Sequence, residues 1–247
     1  MRKSKYYITI FAVLILKTAS AQTTTAVNPF DKVIISPYIE VNFVQGNEES
    51  VTIEHSTVSN DKINIEVNGK TLRIYLDGAK EVTKNKKTYD NGYKEKHSIY
   101  NGTVVAATVT YKTMIDLSVR GEETQVCKSP LTGDKFRLKI YGESHVILTE
   151  VNLGELQTTL YGESILDIKS GWIDHQKYTS YGESEINSLN VVSNTTRITA
   201  YGESDFHVNT TNEIKITAFG EAKLEYKGSA VINKGLHIGE MQIAKID

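Results

Sequence analysis

Across 247 residues the sequence has one cysteine and three prolines, and neither sign of charge is in clear excess. The single cysteine, Cys127, excludes an intramolecular disulfide framework and any multi-cysteine zinc site. Lys and Arg number 28 against 30 Asp and Glu, so the basic excess usual in a nucleic-acid-binding domain is missing. No apolar run reaches the roughly 20 residues that a transmembrane helix needs. What remains is an ordinary soluble composition, 39% hydrophobic and 23% charged.

The first 21 residues read as an export leader. Arg2, Lys3 and Lys5 make a positive start, Ile8 to Leu16 an apolar run, and Ala19-Ser20-Ala21 a small-residue cleavage site. Cleavage is expected before Gln22. No cysteine follows the apolar run, so lipid anchoring there is not expected. The remaining chain, 22–247, has 24 basic against 30 acidic residues, a formal charge of −6. Such a chain is not drawn to anionic lipid or nucleic acid. The expectation is an exported protein of the periplasm, the outer membrane or the cell surface.

The dominant signal is an internal repeat. Gly-Glu dipeptides start in phase at Gly121, Gly142, Gly162, Gly182, Gly202, Gly220 and Gly239, at intervals of 21, 20, 20, 20, 18 and 19, with one further pair, Gly154-Glu155, off-phase. Four carry the full word Tyr-Gly-Glu-Ser, at 141–144, 161–164, 181–184 and 201–204. Phe219-Gly220-Glu221-Ala222 is a softened copy, and the copies at Arg120 and Ile238 are weaker, as terminal repeats tend to be. A fixed period near 20 residues means a stacked array.

Local periodicity then separates strand from helix. Leu138, Ile140, Gly142, Ser144, Val146 and Leu148 share one parity, and the next copies repeat it. That two-residue alternation, with abundant Thr, Ile, Val and Tyr, predicts β-strands. The fold class expected is all-β, a solenoid with coils of about 20 residues and a β-rich part before it. The apolar parity points inward, with Gly and Ser where the interior is narrow and Gly also allowing a bend. The Tyr and Glu columns point outward. With coils roughly 4.8 Å apart, Tyr141, Tyr161, Tyr181, Tyr201 and Phe219 form an aromatic ladder. Glu143, Glu163, Glu183, Glu203 and Glu221 form a carboxylate ladder beside it.

Residues 28–119 also read as short alternating strands, with Asn68-Gly69 marking a hairpin turn. The lysine-rich stretch 77–98 reads as an exposed hairpin extension or loop. No linker separates the strands at 28–119 from the repeats at 120–247, so one continuous domain over 22–247 is expected.

Three stretches carry a family resemblance: FDKVIISPYIEVNFVQGNEESVTIE (Phe30–Glu54), INIEVNGKTLRIYL (Ile63–Leu76) and VVAATVTYKTMIDLSVRGEETQV (Val104–Val126). With the glycine-punctuated coils that follow, they resemble the putative auto-transporter adhesin, head GIN domain family, common among exported Bacteroidetes proteins. The resemblance implies a right-handed, parallel β-helix-like stack and an envelope location, and it brings no catalytic residues. One departure stands out. The family's repeat word is commonly Gly-Ser-Gly-like, whereas this chain repeats Tyr-Gly-Glu-Ser.

The chemistry expected is binding rather than turnover. A glycosidase needs a carboxylate pair at a defined separation, and the repeats offer many equivalent carboxylates instead. The six histidines show no metal-type spacing, and Tyr-Gly-Glu-Ser is not a nucleophile elbow. No cofactor and no metal are expected. The serines of the words are expected to hydrogen-bond the coil backbone. The Tyr ladder either only stabilises the stack or offers aromatic faces to sugar rings, and the Glu ladder is either solvated or functional. The function expected is an adhesin-like binding or structural module, with surface glycans or envelope proteins as partners. A scaffold without a small ligand and a polysaccharide-active enzyme are the alternatives. The sequence leaves the oligomeric state open.

Overall fold

The computed structural model describes residues 23–90 and 93–247, and the leader expected at 1–21 lies outside them. The chain is nearly all β, with about six solenoid turns stacked at intervals of about 20 residues. No helix among the described residues is long and apolar enough to cross a membrane.

The first strands are β1 (Thr23–Ala26), β2 (Lys32–Ile35), β3 (Ile39–Gln45), β4 (Ser50–Ser56), β5 (Ile63–Asn68) and β6 (Thr71–Leu76). Then come β7 (Asn85–Asp90), β8 (Tyr93–Ser98), β9 (Val105–Tyr111), β10 (Asp116–Gly121) and β11 (Thr124–Cys127). The coils continue through β12 (Leu131–Gly142), β13 (His145–Leu148), β14 (Val151–Tyr161), β15 (Ser164–Ile168) and β16 (Gly171–Tyr181). The long β17 (Ser184–Lys227), β18 (Val231–Ile238) and β19 (Met241–Lys245) complete the stack.

Two columns of parallel strands run the length of the molecule. One is β6–β2–β10–β12–β14–β16–β17–β18, the other β9–β3–β11–β13–β15–β17–β19. The N-terminal end is closed by antiparallel strands, β5 on β6 and β4 with β1 on β9. Strands β7 and β8 pair only with each other, as an antiparallel hairpin. The β5–β6 turn lies one residue later than Asn68-Gly69 suggests. Asn68 pairs with Thr71, so Gly69 (φ +60°) and Lys70 are the central residues, with glycine supplying the positive φ first.

Each coil has three sides. In a middle coil these are residues 156–161, 164–168 and 171–173, joined by corners at Gly162-Glu163 and at 169–170. The inward residues Leu156, Leu160, Leu166, Ile168 and Ile173 are buried, each stabilising the fold by roughly 1.5–3 kcal/mol. The interior is not wholly apolar. The Tyr178 and Ser188 hydroxyls both donate to Gln176 Oε1, at 2.6 and 3.1 Å.

The alternation places the word's glycine with the inward set, but the structure puts it on the corner. Gly142, Gly162 and Gly202 are exposed. The repeat-word glycines Gly142, Gly162, Gly182, Gly202 and Gly220 have φ between +93° and +131°, a region closed to most L-residues. A Cβ on any of them would lie 2.3–2.8 Å from the carbonyl oxygen of the corner glycine one coil back. The serine that follows does turn inward. Ser144 Oγ donates to the Gly121 carbonyl at 2.9 Å, Ser164 to Gly142 at 3.0 Å and Ser184 to Gly162 at 3.4 Å. Ser204 departs, donating to Ser180 Oγ at 2.9 Å. Glycine and serine together let successive corners approach and satisfy the carbonyl between them.

Candidate functional site

Strand pairing brings Tyr141, Tyr161, Tyr181 and Tyr201 into register. Their rings, followed by Phe219, form an unbroken stack with centroids 4.8, 5.0, 4.9 and 5.1 Å apart and interplanar angles of 2–7°. Such pairs add about 0.5–1.5 kcal/mol each beyond area burial. The ends are also occupied. The Arg120 guanidinium sits 5.1 Å from the Tyr141 ring centroid, and Ile238 is in register with Phe219. Each interior ring therefore has a neighbour over both faces, and the ladder shows solvent its edges and hydroxyls. A sugar ring finds no free aromatic face there to stack on. Burial, then the flanking Tyr141 and Tyr181, push the Tyr161 phenol above its ordinary pKa.

Two residues along, Glu143, Glu163, Glu183, Glu203 and Glu221 are all exposed. Glu163, Glu183 and Glu203 line one shallow groove with Glu185 and Asp205. Glu203 and Glu221 line the next, with Lys223 and Glu240. None of the five ladder carboxylates has an ion-pair partner among the described residues. Nearby carboxylates on the same side are treated differently. Asp167 takes His145 and Lys169, both at 2.9 Å, and Glu225 takes Lys223 at 2.8 Å and His207 at 3.1 Å. Burial works to raise the Asp167 pKa, and the Lys169 and His145 hydrogen bonds outweigh it, holding the carboxyl below its ordinary range. No group of three or more His, Cys, Asp or Glu among the described residues is placed to hold a metal ion.

The first coil carries two features that the word count alone does not reveal. Arg120 stands where later copies have Tyr, and it bridges to Glu81, which also takes Arg73. Glu123 stands where later copies have Ser. It is buried, accepts the Glu122 N–H at 3.1 Å, and desolvation pushes its carboxyl up against that and other backbone hydrogen bonds. The weak copy Arg-Gly-Glu-Glu held the signal, because aligning it to Tyr-Gly-Glu-Ser exposes both exchanges.

Residues 29–230 match the family model for the "putative auto-transporter adhesin, head GIN domain". The chain belongs to that family. Among solved structures, this head GIN chain is similar to a putative adhesin from Bacteroides fragilis, with a TM-score of 0.73 and 18% identity over 92% of this chain and 98% of that one. A putative adhesin from Parabacteroides merdae aligns with a TM-score of 0.66 and 16% identity, over 92% and 96% of the two chains. A Parabacteroides distasonis protein named as a putative lipid binding protein gives 0.66 and 18%, over the same shares. At these identities the likeness shows the head GIN fold alone. No curated protein matches the chain.

Proposed function

We propose that the chain is an exported, non-enzymatic, adhesin-like module of the cell envelope, and that its ligand face is the Glu ladder with the Tyr edges beside it. The family description and the leader-like residues 1–21 support export. The observation that carries the binding face is the unpaired repetition of Glu143, Glu163, Glu183, Glu203 and Glu221. Every other residue of the word serves the stack. Tyr stacks on Tyr, Gly admits the close corner, and Ser satisfies a carbonyl or a neighbouring hydroxyl. Like charges on adjacent strands oppose stacking, so the fold does not account for the glutamates. A row of carboxylate oxygens beside phenol hydroxyls accepts hydrogen bonds from the hydroxyls of a neutral glycan or from the cations of a protein surface. The acidic row disfavours polyanions.

The test is an array of neutral and acidic glycans and envelope proteins, probed with the wild type and a Glu143/Glu163/Glu183/Glu203/Glu221→Gln variant. Circular dichroism checks that both are folded. A ligand bound at least tenfold more weakly by the variant supports the reading. Equal binding by both proteins removes the ladder from the site. Absence of any ligand leaves a structural scaffold, and turnover of a polysaccharide would replace the non-enzymatic reading.

A further inference from the structure

We infer that the short side of the coils carries a second, separate site for a neutral glycan, with Trp172 as its stacking platform. Trp172 is the only tryptophan in the chain, and it points outward, 45% exposed. No ring and no cation stacks on it among the described residues. Its column reads Thr132, Asn152, Trp172, Val192, each residue in register with the next. Here the Trp column differs from the Tyr ladder. Tyr is flanked by rings of its own size, whereas the indole is flanked by Asn and Val and projects beyond both.

The surroundings suit a hydroxyl-rich ring. A sugar turns an axial face of C–H groups to an aromatic surface and keeps its hydroxyls at the rim. Asn152 lies one rung from the indole, and Asp174 lies two residues along the chain, at the corner that ends this side, with its Oδ2 3.4 Å from His175 Nε2. An amide and a carboxylate there orient the hydroxyls, as the few polar groups of a ligand site do. Two rungs from Trp172, roughly 10 Å away, Thr132 forms the lip of a cleft of about 340 Å³. The cleft has Met114, Leu131 and Leu153 as its buried floor and half-exposed Ile115 at its edge. No atom lies within 4 Å of the position a Cβ would take on Gly133, so the entrance is open. One sugar on the indole and its neighbours reaching the cleft make a continuous track.

Charge and backbone narrow the ligand. The cations near the cleft are taken, Lys135 by Glu155 at 3.1 Å and Arg137 by Asp116 at 2.9 Å, and Asp174 faces His175 at 3.4 Å, so neither Lys135 nor Arg137 is free to attract a polyanion and Asp134 disfavours one. The strands here are paired on both sides, so a peptide cannot dock by adding a strand. The site lies on a different side of the coil from the Glu ladder and does not depend on it.

The single tryptophan makes the site self-reporting, since all indole fluorescence comes from position 172. The full chain is titrated with cellohexaose, mannohexaose and chitohexaose, with oligogalacturonate as the anionic control. The expected result is a saturable change in Trp emission with a neutral hexaose. By calorimetry, Trp172→Ala weakens that binding at least tenfold and Asp174→Asn weakens it less. Binding without an emission change, and equally by Trp172→Ala, overturns this site and leaves the adhesin reading standing. Preference for oligogalacturonate overturns it, as does a Trp172-dependent protein partner in place of a glycan. No glycan bound at all also overturns it and leaves the Glu ladder to its own test.

Discussion

The middle coils and the last coil share the same columns but fill them differently. From Tyr141 to Phe219 the aromatic and glycine columns repeat their residue type, so the ring stacking and the corner approach made by one coil are made again by the next. In the last coil the pattern decays. Ile238 replaces the aromatic rung and Met241 the serine, in register with Phe219 and Ala222. More tellingly, Lys234 lies opposite buried Ile216 and His237 opposite buried Ala218, with a register shift between them. Lys234 and His237 are both exposed, and a charge such as Lys234 at an inward register position together with a bulge is a device that keeps an exposed sheet edge from pairing further. The N-terminal end meets the same problem by topology instead, turning its edge strands antiparallel. A stack built on identical contacts therefore has to be stopped deliberately, and each end of this one is stopped by a different means.

Substitutions at matched positions of the two regions should break the comparison in order of size. Gly182→Ala is expected to cost most, about 2–3 kcal/mol. The residue has φ +116°, and a Cβ there would lie 2.8 Å from the Gly162 carbonyl oxygen, inside a corner held by coils above and below. Gly239→Ala meets an even closer carbonyl, 2.2 Å away. Yet among the described residues nothing stacks on the far side of the last coil, which can open locally, so under about 1 kcal/mol is expected. Urea unfolding midpoints of the two variants check this, and equal losses would show that the last coil is as constrained as the middle.

Next comes Tyr181→Ala, which removes two stacked contacts, with Tyr161 and Tyr201. About 1–3 kcal/mol should be lost. Ile238→Ala, at a residue 64% exposed, should stay within about 0.5 kcal/mol. Near-ultraviolet circular dichroism should also lose the signal of the coupled rings in the first variant and not in the second.

What could be read from the sequence follows from what repeats. The period and the alternation put Tyr141, Tyr161, Tyr181 and Tyr201 on one line, because any coil-forming chain of this spacing must align them. The same arithmetic says nothing about ring planes, so the loss of free faces to the stack was invisible. Corners escape for a related reason. Parity runs straight through Gly142 and groups it with Ile140 and Ser144, while the backbone turns there and brings the glycine to the surface. Trp172 sits on a side only three residues long between two corners, too short for alternation to assign a face. The antiparallel pairing of β4 with β9 joins residues some fifty positions apart, and no local pattern encodes it.

The smallest expected effect bears most on function, because its sign matters more than its size. Rungs about 4.8 Å apart place Glu183 between two like charges, and unit charges at that distance in water repel by under 1 kcal/mol. Glu183→Gln keeps the shape and removes the charge. It should raise stability by a few tenths of a kcal/mol, and the gain should shrink as added salt screens the wild type. Glu240 in the last coil is held by Gln242 Nε2 at 2.6 Å, so Glu240→Gln should gain nothing. Urea midpoints at low and high salt separate the two cases. A ladder whose central charge costs stability is retained against the interest of the stack, which is what a ligand-binding row requires. If Glu183→Gln instead destabilises the protein, the carboxylates have a structural task and the argument for a binding face there is lost.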